Sequence, residues 1–256
     1  MKRKISLLMT MLLLICMIAG CSDSKDGKKI TLGFDQNFPP MGFIGDDGEF
    51  TGFDIDLAKE TAKRLDMELV LQPIDWDSKD AELESGSIDC IWNGFTMSGR
   101  EDDYTWTDAY MDNSQVIVVK KDSSYQKRED LKDKNIEVQK DSSAEKAVSA
   151  DKDFSRMVNV STTSDYNKGL MDLESGVVDA VVMDEIVAGY YIEHENNNFR
   201  ILDDKLSSEE YGIGFKKGNE ELRDKVQKTL EDMQKDGTMK KISEEWFGRD
   251  ITTIGK

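Results

Sequence analysis

Arg100 is a candidate ligand for an anion. Ser98 and Glu101 have the spacing of a capping box, so the sequence predicts a helix that begins there, with Arg100 in its first turn. A cation is mildly disfavoured at a helix N-terminus, whereas a planar guanidinium matches a carboxylate with two parallel hydrogen bonds. A solvated surface arginine would show the same pattern, because most arginines are exposed.

Asp184 is the candidate of opposite charge. It follows the apolar run 180–183, which predicts a buried strand with a carboxylate at its end. A buried carboxylate needs a cation or hydrogen-bond donors, and the ammonium group of a ligand would meet that need. The alternative is an N-cap for a helix over 186–191.

Three further residues fit the same kind of site. Ser142 and Glu145 form a second capping box, and the free N–H of Ser143 at such a helix start can bind an anion, unless Ser142 is simply an N-cap. Phe38 and Trp76 lie in turn segments, where their rings could enclose a ligand side chain or pack in the core.

The elements that must position these residues alternate between strands and helices. Residues 29–34 alternate between apolar and polar, which predicts a strand. Apolar residues at helical spacing predict a helix over 54–65, in which Glu60 and Arg64 can pair, and a second strand is predicted at 68–71. This alternation indicates parallel sheets and an α/β fold class.

A repeat suggests two similarly built lobes. The sequence LESGSID at 83–89 recurs as LESGVVD at 173–179, and each copy predicts a helix end, a glycine cap and a buried strand over 88–92 or 177–183. In open α/β sheets the ligand crevice lies beyond the carboxyl ends of the strands. Two lobes that face each other would therefore enclose a cleft lined by residues 93–96 and 184–185. Chance similarity between two short helix–strand units is the alternative.

The first residues indicate export and anchoring. A basic start, the apolar run 5–18 and small residues before Cys21 predict a signal peptide over 1–20. The segment resembles the lipobox of bacterial lipoproteins, which implies lipidation of Cys21; an ordinary signal peptide is the alternative. Residues 21–29 are expected to form a flexible tether. Of the three cysteines, Cys16 lies in the predicted signal peptide and Cys21 would carry the lipid, which leaves Cys90. We therefore expect neither a disulfide nor a cysteine metal site, and Cys90 is expected at a buried strand position.

The overall charge disfavours some partners, and the sequence contains no catalytic triad or metal-binding signature. With 34 basic and 52 acidic residues, the formal net charge is −18, which disfavours nucleic acid and electrostatic adhesion to anionic lipid. The single histidine, His194, lies in a polar run, and the glycines form no nucleotide-binding motif. We therefore expect no cofactor, no metal site and no enzymatic activity.

The ordered motifs resemble a known family. They are GFDQNFPP (33–40), GFDIDLA (52–58), SGSID (85–89), TMSGR (96–100), VDAVVMDE (178–185), YGIGF (211–215), DGT (236–238) and WFG (246–248). Together they resemble the polar amino-acid branch of the binding proteins of ATP-driven bacterial importers, solute-binding protein family 3. The resemblance implies a two-lobed, periplasmic-binding-protein-like type II fold. Lobe 1 would be 30–109 plus 212–256, lobe 2 would be 115–206, and 110–114 and 207–211 would be hinge segments.

The resemblance also implies a role for each site residue. Arg100 would bind the ligand α-carboxylate with the N–H groups of Thr96 and Ser143. Asp184, the Thr96 hydroxyl and the Gly94 carbonyl would hold the α-ammonium group. The remaining residues would surround the ligand side chain; they are Asp35, Phe38, Trp76, Asn93 and Gln139. The sequence departs from the pattern at 140–143, where relatives usually carry Gly followed by Thr, so Asp141 could place a negative charge near the carboxylate.

The expected function is therefore capture of a free polar L-amino acid by a monomeric, extracytoplasmic lipoprotein. Cystine, glutamine, arginine and lysine all remain candidates, and the partners would be the permease of the importer and, through the lipid anchor, the cell membrane. Two alternatives remain. The scaffold could carry an enzyme such as a small-acid dehydratase, or the chain could be a surface sensor or adhesin.

Overall fold

A computed structural model describes residues 28–194 and 198–255. Within these ranges the strands are β1 Lys29–Phe34, β2 Asn37–Phe38, β3 Gly42–Ile44, β4 Phe50–Thr51, β5 Glu68–Pro73, β6 Cys90–Thr96, β7 Thr105–Trp106, β8 Met111–Lys120, β9 Asn135–Gln139, β10 Asn159–Thr163, β11 Ala180–Asp184 and β12 Phe199–Phe215. The helices are α1 Phe53–Arg64, α2 Lys79–Ser85, α3 Ser143–Ala150, α4 Lys152–Met157, α5 Tyr166–Ser175, α6 Glu185–His194, α7 Glu220–Asp236 and α8 Thr238–Phe247. The predicted signal peptide over 1–20, Cys21 and most of the tether lie outside the described residues.

One large sheet runs through the described part of the molecule in the order β10-β9-β11-β8-β12-β6-β1-β5, with β7 paired to β12. At one end β1 pairs in parallel with β5 and β6, and at the other end β9 pairs in parallel with β10 and β11. Two parallel units with helical crossovers confirm the predicted α/β class.

The long antiparallel strands β8 and β12 join the two parallel units. Strand β12 pairs with β8 along its first part and with β6 near its end, so a single strand passes from one unit to the other. The predicted hinge segments lie within or next to this pair, with Ser114 opposite Ser208 and Met111 opposite Tyr211. The lobe boundaries themselves stay predictions.

The core lies on both faces of the sheet. In β8, Val116 and Val118 belong to one apolar cluster while Ile117 and Val119 belong to another. Successive strand residues point to opposite faces, so a strand covered on both sides has a continuous apolar run. Cys90 is fully buried in β6, as predicted.

Most local predictions are confirmed, and one is wrong. Glu60 accepts a hydrogen bond from Arg64 Nε at 2.8 Å in α1, and both repeat copies end a helix at a left-handed glycine, Gly86 or Gly176. The helix predicted to begin near Ser98 does not form, and residues 97–103 make turns instead. Gly99 has φ +74°, and its N–H donates to the Glu101 carboxylate. The carboxylate that was predicted to cap a helix therefore accepts from a turn instead.

The repeat strands β6 and β11 begin two or three residues later than the sequence patterns indicated. Across residues 28–194 and 198–255, none of the helices is both long and apolar enough to cross a bilayer.

Candidate ligand-binding cleft

The predicted site residues come together because they follow the carboxyl ends of parallel strands. Asp35 comes directly after β1, Asn93 to Thr96 end β6, Gln139 ends β9 and Asp184 ends β11. The ends of the two parallel units face each other across the joining strands. The cleft therefore receives side chains from both units, as expected for an open α/β sheet.

Arg100 bridges the two units. The residue is 4% exposed, and its Nη1 donates to the Thr96 carbonyl at 3.0 Å and to Ser143 Oγ at 3.1 Å. Nη2 donates to the Asp141 carbonyl at 3.3 Å, and the Trp106 indole N–H holds the Arg100 carbonyl at 3.0 Å. Burial lowers the pKa of Arg100, while nearby acidic groups oppose that shift. A buried, charged guanidinium is thus aimed at the start of α3.

Lys79 is a second cation at this end of the cleft, and the sequence patterns did not single it out. It is 3% exposed, and its Nζ donates to the carbonyls of Trp76 and Asp141, each at 3.2 Å. Asp141 has φ +55° and its side chain is exposed, so its carbonyl rather than its carboxylate meets the two cations. The departure from the family pattern at Asp141 therefore leaves a backbone acceptor beside the guanidinium.

Asp184 is 4% exposed and receives hydrogen bonds from side chains on several elements. Its Oδ1 accepts from Tyr211 Oη at 2.6 Å and from the amides of Asn113 and Gln115, each at 2.8 Å, while Oδ2 accepts from Tyr166 Oη at 3.1 Å. Burial, followed by the negative charge of Glu209, raises the pKa of Asp184 to about 8. The described bonds do not include a helix N–H, so they give no support to the N-cap interpretation.

A third group of residues forms the far end of the cleft. Asp35 Oδ2 accepts from Gln139 Nε2 at 2.7 Å, which links the two units, and Asn93 Oδ1 accepts from the Asp35 N–H at 3.0 Å. Burial raises the pKa of Asp35 to about 6, against the opposing effect of hydrogen bonds from the Asn37 N–H, at 2.8 Å to Oδ1, and from the Gln139 amide. The Phe38 ring lies 5.8 Å from that of Tyr166, centroid to centroid, so an aromatic wall also spans the two units.

Comparison with known proteins shows which family the chain resembles. Residues 30–249 match the family described as bacterial extracellular solute-binding proteins, family 3. The L-cystine-binding protein TcyJ of Escherichia coli K12 is 32% identical over 231 residues, which cover 89% of this chain and 86% of TcyJ. The arginine-binding extracellular protein ArtP of Bacillus subtilis is 31% identical, with 90% and 92% covered.

A solved structure gives the same result. An ABC transporter substrate-binding protein from Streptococcus pneumoniae with bound histidine superposes with a TM-score of 0.85 at 35% identity, covering 88% of this chain and 94% of that one. The chain belongs to family 3 of the bacterial extracellular solute-binding proteins. The predicted family and the two-lobed, type II fold are both confirmed.

In this solute-binding protein, Gly94 is a position where only glycine fits. It has φ +55°, and a Cβ there would lie 2.9 Å from Phe38 Cε1 and from Tyr211 Cε2. Its N–H donates to Asp54 Oδ2 at 2.7 Å, and Tyr110 donates to the same oxygen at 3.0 Å. Burial raises the pKa of Asp54 to about 7, with these two donors opposing the shift. Asp54 thus holds the backbone of Gly94 in place beside the cleft.

Trp76 is the predicted site residue with the weakest link to the others. It is half-buried at the start of the 3-10 helix Trp76–Ser78, not in the predicted turn. Its ring packs edge-on against Phe95 at 5.5 Å, and Lys79 Nζ lies 5.2 Å from its ring centre. Through Lys79 it borders the loop that Arg100 reaches. Its role against a ligand side chain stays a prediction, as do the individual roles of the other site residues.

Several residues around Asp184 were missed by the sequence patterns; they are Asn113, Gln115, Tyr166, Glu209 and Tyr211. The sequence contained one signal for them, the polar stretch 113–115 directly before an apolar strand run. In the structure all three residues of this stretch are buried. A buried polar stretch needs internal partners. In the described parts of the chain, no cluster of His, Cys, Asp or Glu is arranged to hold a metal ion.

Proposed function

We propose that this protein binds a free polar L-amino acid between its two lobes and delivers it to the permease of an ATP-driven importer. The observation that carries the proposal is a buried guanidinium, Arg100, and a buried carboxylate, Asp184, supplied to one cleft by opposite units. A free amino acid presents a carboxylate and an ammonium group on a single carbon. It is therefore complementary to such a pair, whereas a solute without charged groups is not.

The contacts between the units support a closing motion. Arg100 reaches Ser143, Asp35 reaches Gln139, and Lys140 pairs with Asp77 at 2.7 Å. Closure by bending of β8 and β12 would exclude water from the ligand, and charge-assisted hydrogen bonds are stronger when water is excluded. The lobe that supplies Arg100 can bind the ligand first, and the second lobe then completes the site.

The preferred side chain should carry an N–H donor away from its α-carbon. TcyJ is named for cystine, ArtP for arginine, and the pneumococcal structure holds histidine, and each of these ligands has a distal nitrogen. In this chain Asp35 would receive that donor, in place of or together with Gln139. A buried acceptor strongly disfavours an apolar side chain, because the acceptor would lose its partner.

A thermal-shift screen tests this proposal. The mature chain is heated with each protein L-amino acid, with cystine and with the matching D-amino acids as controls. We expect cystine, arginine, lysine, glutamine or histidine to raise the melting temperature most, because selective binding stabilises the folded state by mass action. No shift with any L-amino acid, or equal shifts with both enantiomers, would contradict the proposal.

The lipid anchor and the extracytoplasmic location belong to the same proposal. They rest on the small residues before Cys21. The full chain, expressed in a host that processes lipoproteins, should enter the membrane fraction and incorporate labelled palmitate, and Cys21→Ala should abolish both. Cys16→Ala is the matched control, since the predicted signal peptide contains it. Incorporation that persists in Cys21→Ala would refute the assignment.

Two observations would point away from pure binding. Formation of a product from small carboxylic acids would reveal an enzyme on this scaffold, and selective retention on host matrix proteins would reveal an adhesin. Sedimentation of the mature chain as a single species of monomer mass, with and without amino acid, would agree with the proposed monomer.

A further inference from the structure

Two buried carboxyl groups lie side by side in the cleft. Asp184 ends β11 and Glu209 lies on β12, and both are less than a tenth exposed. Two amide groups donate to both acids. Asn113 Nδ2 lies 2.8 Å from Asp184 Oδ1 and 2.6 Å from Glu209 Oε1, and Gln115 Nε2 lies 2.8 Å from each of the same oxygens. The two acids thus share both amide donors.

The arrangement contains too little positive charge for two carboxylates. The groups that face the pair are Tyr166 from α5, Tyr211 from β12, the amides of β8, and Arg100 from the opposite unit. Lys205 donates to Glu185 at 2.7 Å and to Ser114 Oγ at 3.2 Å, and its described bonds do not include either acid. Arg100 makes its described hydrogen bonds to Thr96, Asp141 and Ser143 rather than to the pair. Two negative charges in a buried site without a direct cationic partner are unfavourable.

A buried acceptor beside the two acids lacks a hydrogen-bond donor in the described part of the chain. Gln115 Oε1 is buried and has no hydrogen-bond partner among the described residues. Its own Nε2 is held by the two acids, so its free acceptor lies on the same side chain that binds them. An ammonium group has three N–H donors and could satisfy this oxygen and the two acids at once.

We propose that Glu209 is a further ligand-positioning residue, and that the Asp184–Glu209 pair holds one shared proton that the ammonium group of the ligand displaces. This inference rests on the proposed function, amino-acid binding in this cleft. In the empty site the pair carries one negative charge and one proton. On binding, the proton passes to solvent, and the pair with two negative charges faces one ammonium group, so the net charge of the site is unchanged.

The raised pKa of Asp184, about 8, agrees with a proton retained near neutral pH. An ammonium group lowers the pKa of a carboxyl group that it contacts. Binding should therefore release close to one proton per ligand at pH 7.0. Affinity should increase as the pH rises, by up to about tenfold per pH unit for one proton, and level off above the raised pKa of Asp184.

Isothermal titration calorimetry in buffers of different ionisation enthalpy measures the proton release. The probe is whichever of L-arginine, L-lysine, L-glutamine and L-cystine binds most tightly, at pH 7.0, where Asp35 is mostly ionised and contributes little. The slope of the observed enthalpy against the ionisation enthalpy of the buffer gives the number of protons released. We expect about one for the native chain and clearly fewer for Glu209→Gln, because loss of the second acid removes one of the two main causes of the raised pKa of Asp184.

Glu210→Gln is the matched control, because Glu210 is the exposed neighbour on the same strand. It should release the same number of protons as the native chain. A merely structural role for Glu209 would change affinity without changing the proton count.

Binding by the native chain without proton release would overturn this inference and leave the proposed function intact, and so would equal release in Glu209→Gln. Because the native chain alone can give the negative result, the test holds even if Glu209→Gln fails to fold. Absence of binding by every probe would overturn both proposals.

Discussion

Replacement of Arg100 by alanine is the most direct perturbation of the proposed site. The side chain is 4% exposed and holds acceptors on both units, at 3.0 Å to Thr96 and 3.1 Å to Ser143. Alanine would leave the carboxylate of a bound amino acid in a closed cleft without its charged partner. Lys79, which is committed to two backbone carbonyls, is not placed to take over with a fork of parallel donors.

The expected loss can be bounded. Removal of one partner from a buried, hydrogen-bonded charge pair costs about 2–5 kcal/mol. At about 1.4 kcal/mol per tenfold change, the dissociation constant should increase by about 30-fold to several thousandfold. Arg100→Lys should recover only part of the loss, because an ammonium group is a point charge that cannot make two parallel hydrogen bonds to a carboxylate.

Calorimetric titration with the amino acid selected by the thermal-shift screen measures this loss. Arg64→Ala is the control, since Arg64 pairs with Glu60 and Asp236 on the surface and should leave affinity unchanged. Urea unfolding of each variant separates lost binding from lost folding. Undiminished affinity in a folded Arg100→Ala protein would refute the assignment of the carboxylate site.

Two other predictions follow from the buried acids and from Gly94. Burial raises the pKa values of Asp35, Asp54 and Asp184 to about 6, 7 and 8, above those of the unfolded chain, so the native state keeps protons that the unfolded state has lost. The ligand-free protein should therefore be most stable near pH 4–5 and lose up to about 1.4 kcal/mol per pH unit for each retained proton as the pH rises through these values. Urea unfolding from pH 5 to pH 8 checks this, and Asp54→Asn should flatten the dependence; stability that rises over this range would contradict it. Gly94→Ala should destabilise by more than about 1 kcal/mol and weaken binding, because its Cβ would lie 2.9 Å from Tyr211 in a left-handed conformation; a wild-type urea midpoint would contradict it.

The sequence alone was sufficient for the architecture. Two copies of LESG followed by an apolar run predicted two helix–strand units, and both occur with the glycine in the left-handed cap. Local periodicity and glycine conformation depend on neighbouring residues only, which is why such features can be predicted without a fold. The same logic failed at Ser98, where the side chain of Glu101 satisfied a turn instead of a helix start.

The tertiary structure decided which charges meet. Arg100 and Asp184 were predicted from their types and positions. The sequence patterns did not indicate that Glu209 shares donors with Asp184. They also did not indicate that Lys79 and Arg100 donate to the same carbonyl, that of Asp141. These contacts depend on the register of β8 against β12 and on the packing of one unit against the other. Burial then sets the protonation of each acid, because a pKa depends on the distance to water and to other charges, and folding alone determines those distances.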